Sequence, residues 1–129
     1  MTTLTQFEEL EAWKQARELT QGVYRISRSA RFYKDRALRD QICRAAVSVV
    51  SNIAEGFERS GTAEFVQFLA MAKGSVAEVE AQLYVALDQA YITQDEFDAL
   101  RKLTGSTKRL IAGLMKYLTA SGIKGQKYR

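Results

Sequence analysis

Apolar residues recur along this chain at three- and four-residue steps, and the rhythm breaks at three places, which predicts four helices. The first, over about 8–29, carries Leu10, Trp13, Ala16, Leu19, Val23 and Ile26 on one stripe. A turn from Ser27 to Lys34 follows, with Phe32 and Tyr33 as apolar plugs over the bundle's end. The second helix spans about 35–58 and stops in the glycine-containing stretch from Gly56 to Gly61. The third, about 62–91, places Phe65, Leu69, Ala72, Val76, Val79, Leu83, Ala86 and Ala90 in unbroken alternation of four and three, the seam of a coiled-coil-like bundle. The fourth, about 94–120, opens on a capping box from Thr93 to Glu96 and carries Phe97, Leu100, Leu103, Thr107, Leu110, Leu114 and Tyr117. No proline interrupts any of them. Short connections predict one all-α domain over 1–129, an antiparallel up-down-up-down four-helix bundle. The basic, glycine-containing tail over 121–129 is expected to be flexible.

The second helix departs from a simple amphipathic pattern. At about 100° per residue its apolar side chains, from Leu38 to Phe57, fill an arc of about 200°, roughly twice what one bundle core needs. That width predicts either a central helix covered by its own bundle mates or a second covering surface on another copy of the protein, and self-association is the favoured reading. Cys43, Ala46, Val47, Val50, Ala54 and Phe57 are the apolar candidates for that interface, and Asn52 and Glu55 the polar ones, which would fix register if buried and hydrogen-bonded. Gly74, inside the third helix, suggests a tight crossing as well.

Composition narrows the chemistry. The chain has 47% hydrophobic and 26% charged residues, as soluble globular domains do, and no apolar run long enough to cross a bilayer. Its N-terminus lacks the basic start and apolar stretch of a signal peptide, so a cytoplasmic location is expected. There is one cysteine, Cys43, and no histidine. Without histidine the commonest general base and metal ligand are missing, and Glu55, Glu64, Glu78 and Glu80 cannot form the glutamate–histidine set of a di-iron bundle. No enzyme, no metal and no cofactor are expected.

Charge is concentrated rather than spread. The segment 25–44 carries Arg25, Arg28, Arg31, Lys34, Arg36, Arg39 and Arg44 against Asp35 and Asp40, a net of +5, while the chain as a whole is +4. Arg25, Arg28, Arg31, Lys34, Arg36 and Arg39 therefore form a candidate phosphate-binding patch, without any base-reading motif. Acidic residues of a neighbouring subunit or partner could equally balance it. Phe32 and Tyr33 could stack on unpaired bases, although capping the core is their more ordinary duty. Asp40 and Arg44 have the spacing of a helical ion pair.

The run from Leu38 to Phe57, with its core Gln-x-x-Arg-Ala-Ala-x-Ser-x-x-Ser-Asn-Ile-Ala-Glu-Gly, resembles the signature helix of the four-helix-bundle proteins encoded in intervening sequences of bacterial 23S ribosomal RNA genes. Leu10-Glu-Ala-Trp-Lys-Gln-Ala16 and the stretch from Glu64 to Glu78 extend the match to about 7–118. Val50 stands where many members have proline, and Phe32-Tyr33 lacks the proline common in that turn. The resemblance implies antiparallel bundles assembled into rings, commonly pentamers, with no enzymatic activity. A related branch, the accessory variability determinants of diversity-generating retroelements, implies a basic ring that works with a reverse transcriptase and nucleic acid. The expected function is thus a homo-oligomer that presents basic surface to RNA or DNA, with a gene-neighbour protein such as a reverse transcriptase as a further partner. The alternative is a scaffold for an acidic protein with no nucleic-acid role.

Overall fold

Leu10 marks the first departure from the expected pattern. A single 3₁₀ turn, Phe7–Glu9, ends there, and the extended backbone of Leu10 restarts the chain as α1, Glu11–Ser27. The structure, a computed structural model, describes residues 4–121. After α1 come a short helix α2, Ala30–Lys34, and three long ones: α3, Arg36–Glu58, α4, Thr62–Asp88, and α5, Gln94–Ser121. The described residues contain no strand, so the fold is all-α. Of the tail expected over 121–129, everything after Ser121 lies outside the described residues.

Four long helices pack around a common core, α1 and α4 each lying against both α3 and α5. At one end Leu19, Val23, Phe32, Ile42, Leu83 and Leu100 are buried together, and at the other Ala16, Val49, Phe57, Phe65, Leu69 and Ile111. Contacts between neighbours move in opposite directions along the two chains. Gln41 meets Gln82, Ser48 meets Ser75 and Gly56 meets Phe68 across α3 and α4. Thr20 bonds the Ala46 carbonyl and Ser27 lies 3.5 Å from Cys43 Sγ across α1 and α3. Gln15 bonds Ser106, and Gly22 meets Leu100, across α1 and α5.

The seam of α4 is buried as expected through Ala86. α5 follows its expected stripe only as far as Thr107. Its core positions are then Ile111 and Leu118, while Leu110 and Tyr117 are exposed. The polar members of this core are Thr107, on the expected stripe, and Thr104, one residue past the expected Leu103. Both are fully buried, and their hydroxyls donate to the carbonyls of Arg101 (3.0 Å) and Leu103 (2.6 Å), which removes the cost of burying them.

α3 ends at Glu58, inside the glycine-containing stretch where it was expected to stop. Gly56 lies within its last turn, where a Cβ would come within 2.7 Å of Phe68 Cβ and 2.9 Å of the Phe65 ring. Gly22 is a second such contact, with Leu100 Cδ2 at 2.7 Å from the position of a Cβ. Gly74, the glycine expected at a crossing, is exposed, and no packing neighbour comes within 4 Å of a Cβ there.

α4 ends two residues before the seam would have carried it. Ala90 has φ 59°, and the amides of Ala90 and Tyr91 donate to the carbonyls of Leu87 and Ala86, the paired bonds of a Schellman cap. Alanine in that left-handed position is strained, where glycine would not be. Ala90→Gly is expected to raise the unfolding free energy by about 0.5–1 kcal/mol, read from the urea midpoint at constant slope.

Asp35 starts α3 and ties down the same end. Its Oδ1 accepts from the Leu38 amide at 3.1 Å and its Oδ2 from the Tyr91 hydroxyl at 2.9 Å. That hydrogen bond, with burial and the carboxylate's charge adding to it, raises the Tyr91 pKa above its ordinary value. Phe32 is fully buried and stacks on the Tyr91 ring, so it plugs the core as expected, whereas Tyr33 projects outward. The predicted capping box is present, with the Glu96 amide donating to Thr93 Oγ1 and the Thr93 amide to Glu96 Oε1.

Candidate nucleic-acid interface and the uncovered helix faces

The basic segment is a helical corner at one end of the bundle. Arg25 lies in the last turn of α1 and Arg28 caps it. Arg31 and Lys34 belong to α2, and Arg36 and Arg39 to the first turn of α3. The six therefore share one end of the molecule, and all but the half-buried Arg39 are exposed. Two are held by the fold: Arg31 lies over the Tyr91 ring and donates weakly to the Ala90 carbonyl, and Arg39 lies over the Tyr33 ring, donates to the Tyr33 carbonyl and pairs with Asp40. Asp40 thus pairs with Arg39 rather than with Arg44. Arg25, Arg28, Lys34 and Arg36 make no ion pair among the described residues. The turn from α4 to α5 brings Asp88, Asp95 and Glu96 to the same end, yet none of them reaches these four cations.

The expected subunit contact divides into parts. Ala46 and Phe57 are buried inside the chain's own core and have no surface to offer another copy, which corrects their assignment. The broad apolar arc of α3 is largely used within one molecule, because α3 touches α1, α4, the 3₁₀ turn and α2. What remains outward is a narrow stripe at four- and three-residue steps: Cys43, Val47, Val50 and Ala54. Val47 is 38% exposed and the other three are half-buried.

The polar signature residues face α4. Asn52 Nδ2 donates to the Ser48 carbonyl at 2.8 Å and to Ser48 Oγ at 3.0 Å, and Ser48 Oγ lies 2.9 Å from Ser75 Oγ. Gln41, Arg44 and Ser48 line a shallow groove with Glu78 and Gln82. Asn52 thereby serves the α3–α4 contact inside one molecule. Glu55 is exposed and pairs with Arg59 at 2.8 Å. The remaining carboxylates are scattered, with Glu64 near Arg59 and Glu80 between Lys108 and Arg101.

Sequence reasoning missed the outer face of α4. Ala63, Ala70, Gly74, Ala77 and Ala81 are exposed along one line, flanked by Met71 at 55% exposure and Val85 at 46%. α4 thus carries small or apolar residues on this outer line as well as on its buried seam, with Gln67 on the same line and Glu64, Lys73 and Glu78 exposed beside it. Small residues escape a search for large apolar positions. The seam on the opposite side of α4 drew the signal instead.

The profile of the 23S rRNA-intervening sequence protein family matches residues 8–113. Among solved structures, the crystal structure of a protein of unknown function from the S23 ribosomal protein family of Bacteroides thetaiotaomicron is similar. It is 21% identical with a TM-score of 0.75 over 81% of this chain and 98% of that one. No protein with a curated description matches.

Proposed function

This chain belongs to the 23S rRNA-intervening sequence protein family, and from that membership we propose that it is a non-enzymatic homo-oligomer whose basic corner binds RNA or DNA as an accessory factor. The observation that carries the binding half is the set of four cations, Arg25, Arg28, Lys34 and Arg36, exposed at one end without ion pairs among the described residues. Unpaired surface charge is free to displace counterions from phosphates. The names of the family and of the similar structure point to ribosomal contexts, which makes RNA the first probe.

The topology we propose is up-down-up-down, supported by the opposite running of contacts between neighbouring long helices, to which Tyr84–Arg101 and Glu80–Lys108 add the α4–α5 pair. The oligomeric half rests on two unlike uncovered faces, the Val47 stripe of α3 and the small-residue face of α4. Joining one face to the other between successive copies makes a head-to-tail contact, and a ring forms where the rotation per copy divides a full turn. A gene-neighbour protein such as a reverse transcriptase is the further partner this arrangement would serve.

Titration of labelled RNA with the protein tests the binding half. Micromolar or tighter affinity is expected at low salt, with log K falling by about 0.7 per displaced phosphate contact for each unit of log salt. Undetectable binding at low salt contradicts it.

A further inference from the structure

We infer that the nucleic acid taken by the basic corner is single-stranded, held by base stacking on Tyr33 and Tyr24 as well as by phosphate contacts; this rests on the binding proposed above. Tyr33 is 55% exposed and Tyr24 39%. Tyr24 lines an open depression of about 410 Å³ with Thr20, Gln21, Arg25 and Arg28, so an aromatic ring and two unpaired cations meet in one concavity. Tyr33 is flanked in sequence by Lys34 and lies one turn before Arg36.

Tyr33 is also positioned rather than merely exposed. Its amide donates to the Ser29 carbonyl at 2.8 Å, and Arg39 donates to its carbonyl at 2.9 Å. The Arg39 guanidinium sits 4.3 Å from the ring centroid, covering one face. Such a ring pays little to receive a base on its other face, and the cation beneath adds to the attraction. Exposed Tyr84 behaves differently: it packs on Phe97 and its hydroxyl accepts from Arg101. No hydroxyl bond is made by Tyr24 or Tyr33 among the described residues.

A duplex cannot use these rings, since its bases are already stacked on each other and it presents only its backbone and groove edges. Single strands can use both. The two kinds of contact also separate by salt, because stacking releases no counterions.

The experiment measures affinities of the full chain for pyrimidine-rich single-stranded RNA, single-stranded DNA of the same sequence, and the RNA duplex, at low and at physiological salt. The better single strand is expected to bind at least about tenfold more tightly than the duplex at physiological salt, and which one is better identifies the sugar carried. Tyr33→Ala should weaken single-strand binding by about tenfold without changing the salt slope and leave duplex binding as it was; Tyr33→Phe should restore it. Circular dichroism of both variants should match the parent, because Tyr33 is exposed. Duplex binding as tight as single-strand binding, or single-strand binding indifferent to Tyr33→Ala, overturns this inference alone. No binding to any of the three probes overturns the proposed function and this inference together.

Discussion

With Arg25, Arg28 and Lys34 all changed to glutamate, RNA affinity at low salt is expected to fall by about 100-fold or more, and the salt slope by about 2. These three are the right residues to reverse because none makes an ion pair among the described residues. Arg31 is a poorer choice, since it lies over Tyr91 and reaches the Ala90 carbonyl, so its loss would disturb the end of the bundle too. The measurement is a fluorescence titration at several salt concentrations, with thermal unfolding to verify that the fold is kept. Unchanged affinity in the triple variant would place the RNA elsewhere on the molecule.

Phe57→Ala is expected to cost about 3–5 kcal/mol of unfolding free energy, read from urea denaturation. Phe57 is 1% exposed, meets Phe65 edge-on with centroids 6.0 Å apart, and shares its cluster with Val49, Ile53 and Leu69. Its truncation leaves a cavity beside Gly56, where α3 and α4 approach too closely to collapse further. Val47→Ala, on the outward stripe of the same helix, is expected to change the stability of an isolated copy by less than about 0.5 kcal/mol. The pair separates the two duties of α3. A Phe57→Ala protein that keeps its stability but changes its mass would return Phe57 to the interface.

Long helices and the α4 seam were readable because a core that repeats every three and four residues leaves its period in the sequence. Apolarity alone failed wherever a polar side chain satisfied itself. Thr104 donates to its own helix and enters the core where Leu103 was expected, and the stripe of α5 continues through Ile111 and Leu118 while Leu110 and Tyr117 are exposed. The break at Leu10 and the short α2 carry no proline or glycine to announce them. The arc of α3 was read correctly in width, but a helix touching four other elements can consume most of it within one molecule. At the basic corner, residue positions were evident from the sequence; that Arg39 stacks on Tyr33 and Arg31 on Tyr91, leaving four cations unpaired, needed the fold.

Mass by light scattering after size exclusion decides the proposed assembly, in which another copy covers the exposed faces of α3 and α4. The account predicts a single species whose mass is a several-fold multiple of 14.5 kDa. It also predicts that Ala77→Glu, a charge placed on the outer face of α4, lowers that mass while leaving the helical spectrum unchanged. A wild-type protein that elutes as a 14.5 kDa monomer at tens of micromolar would contradict the account.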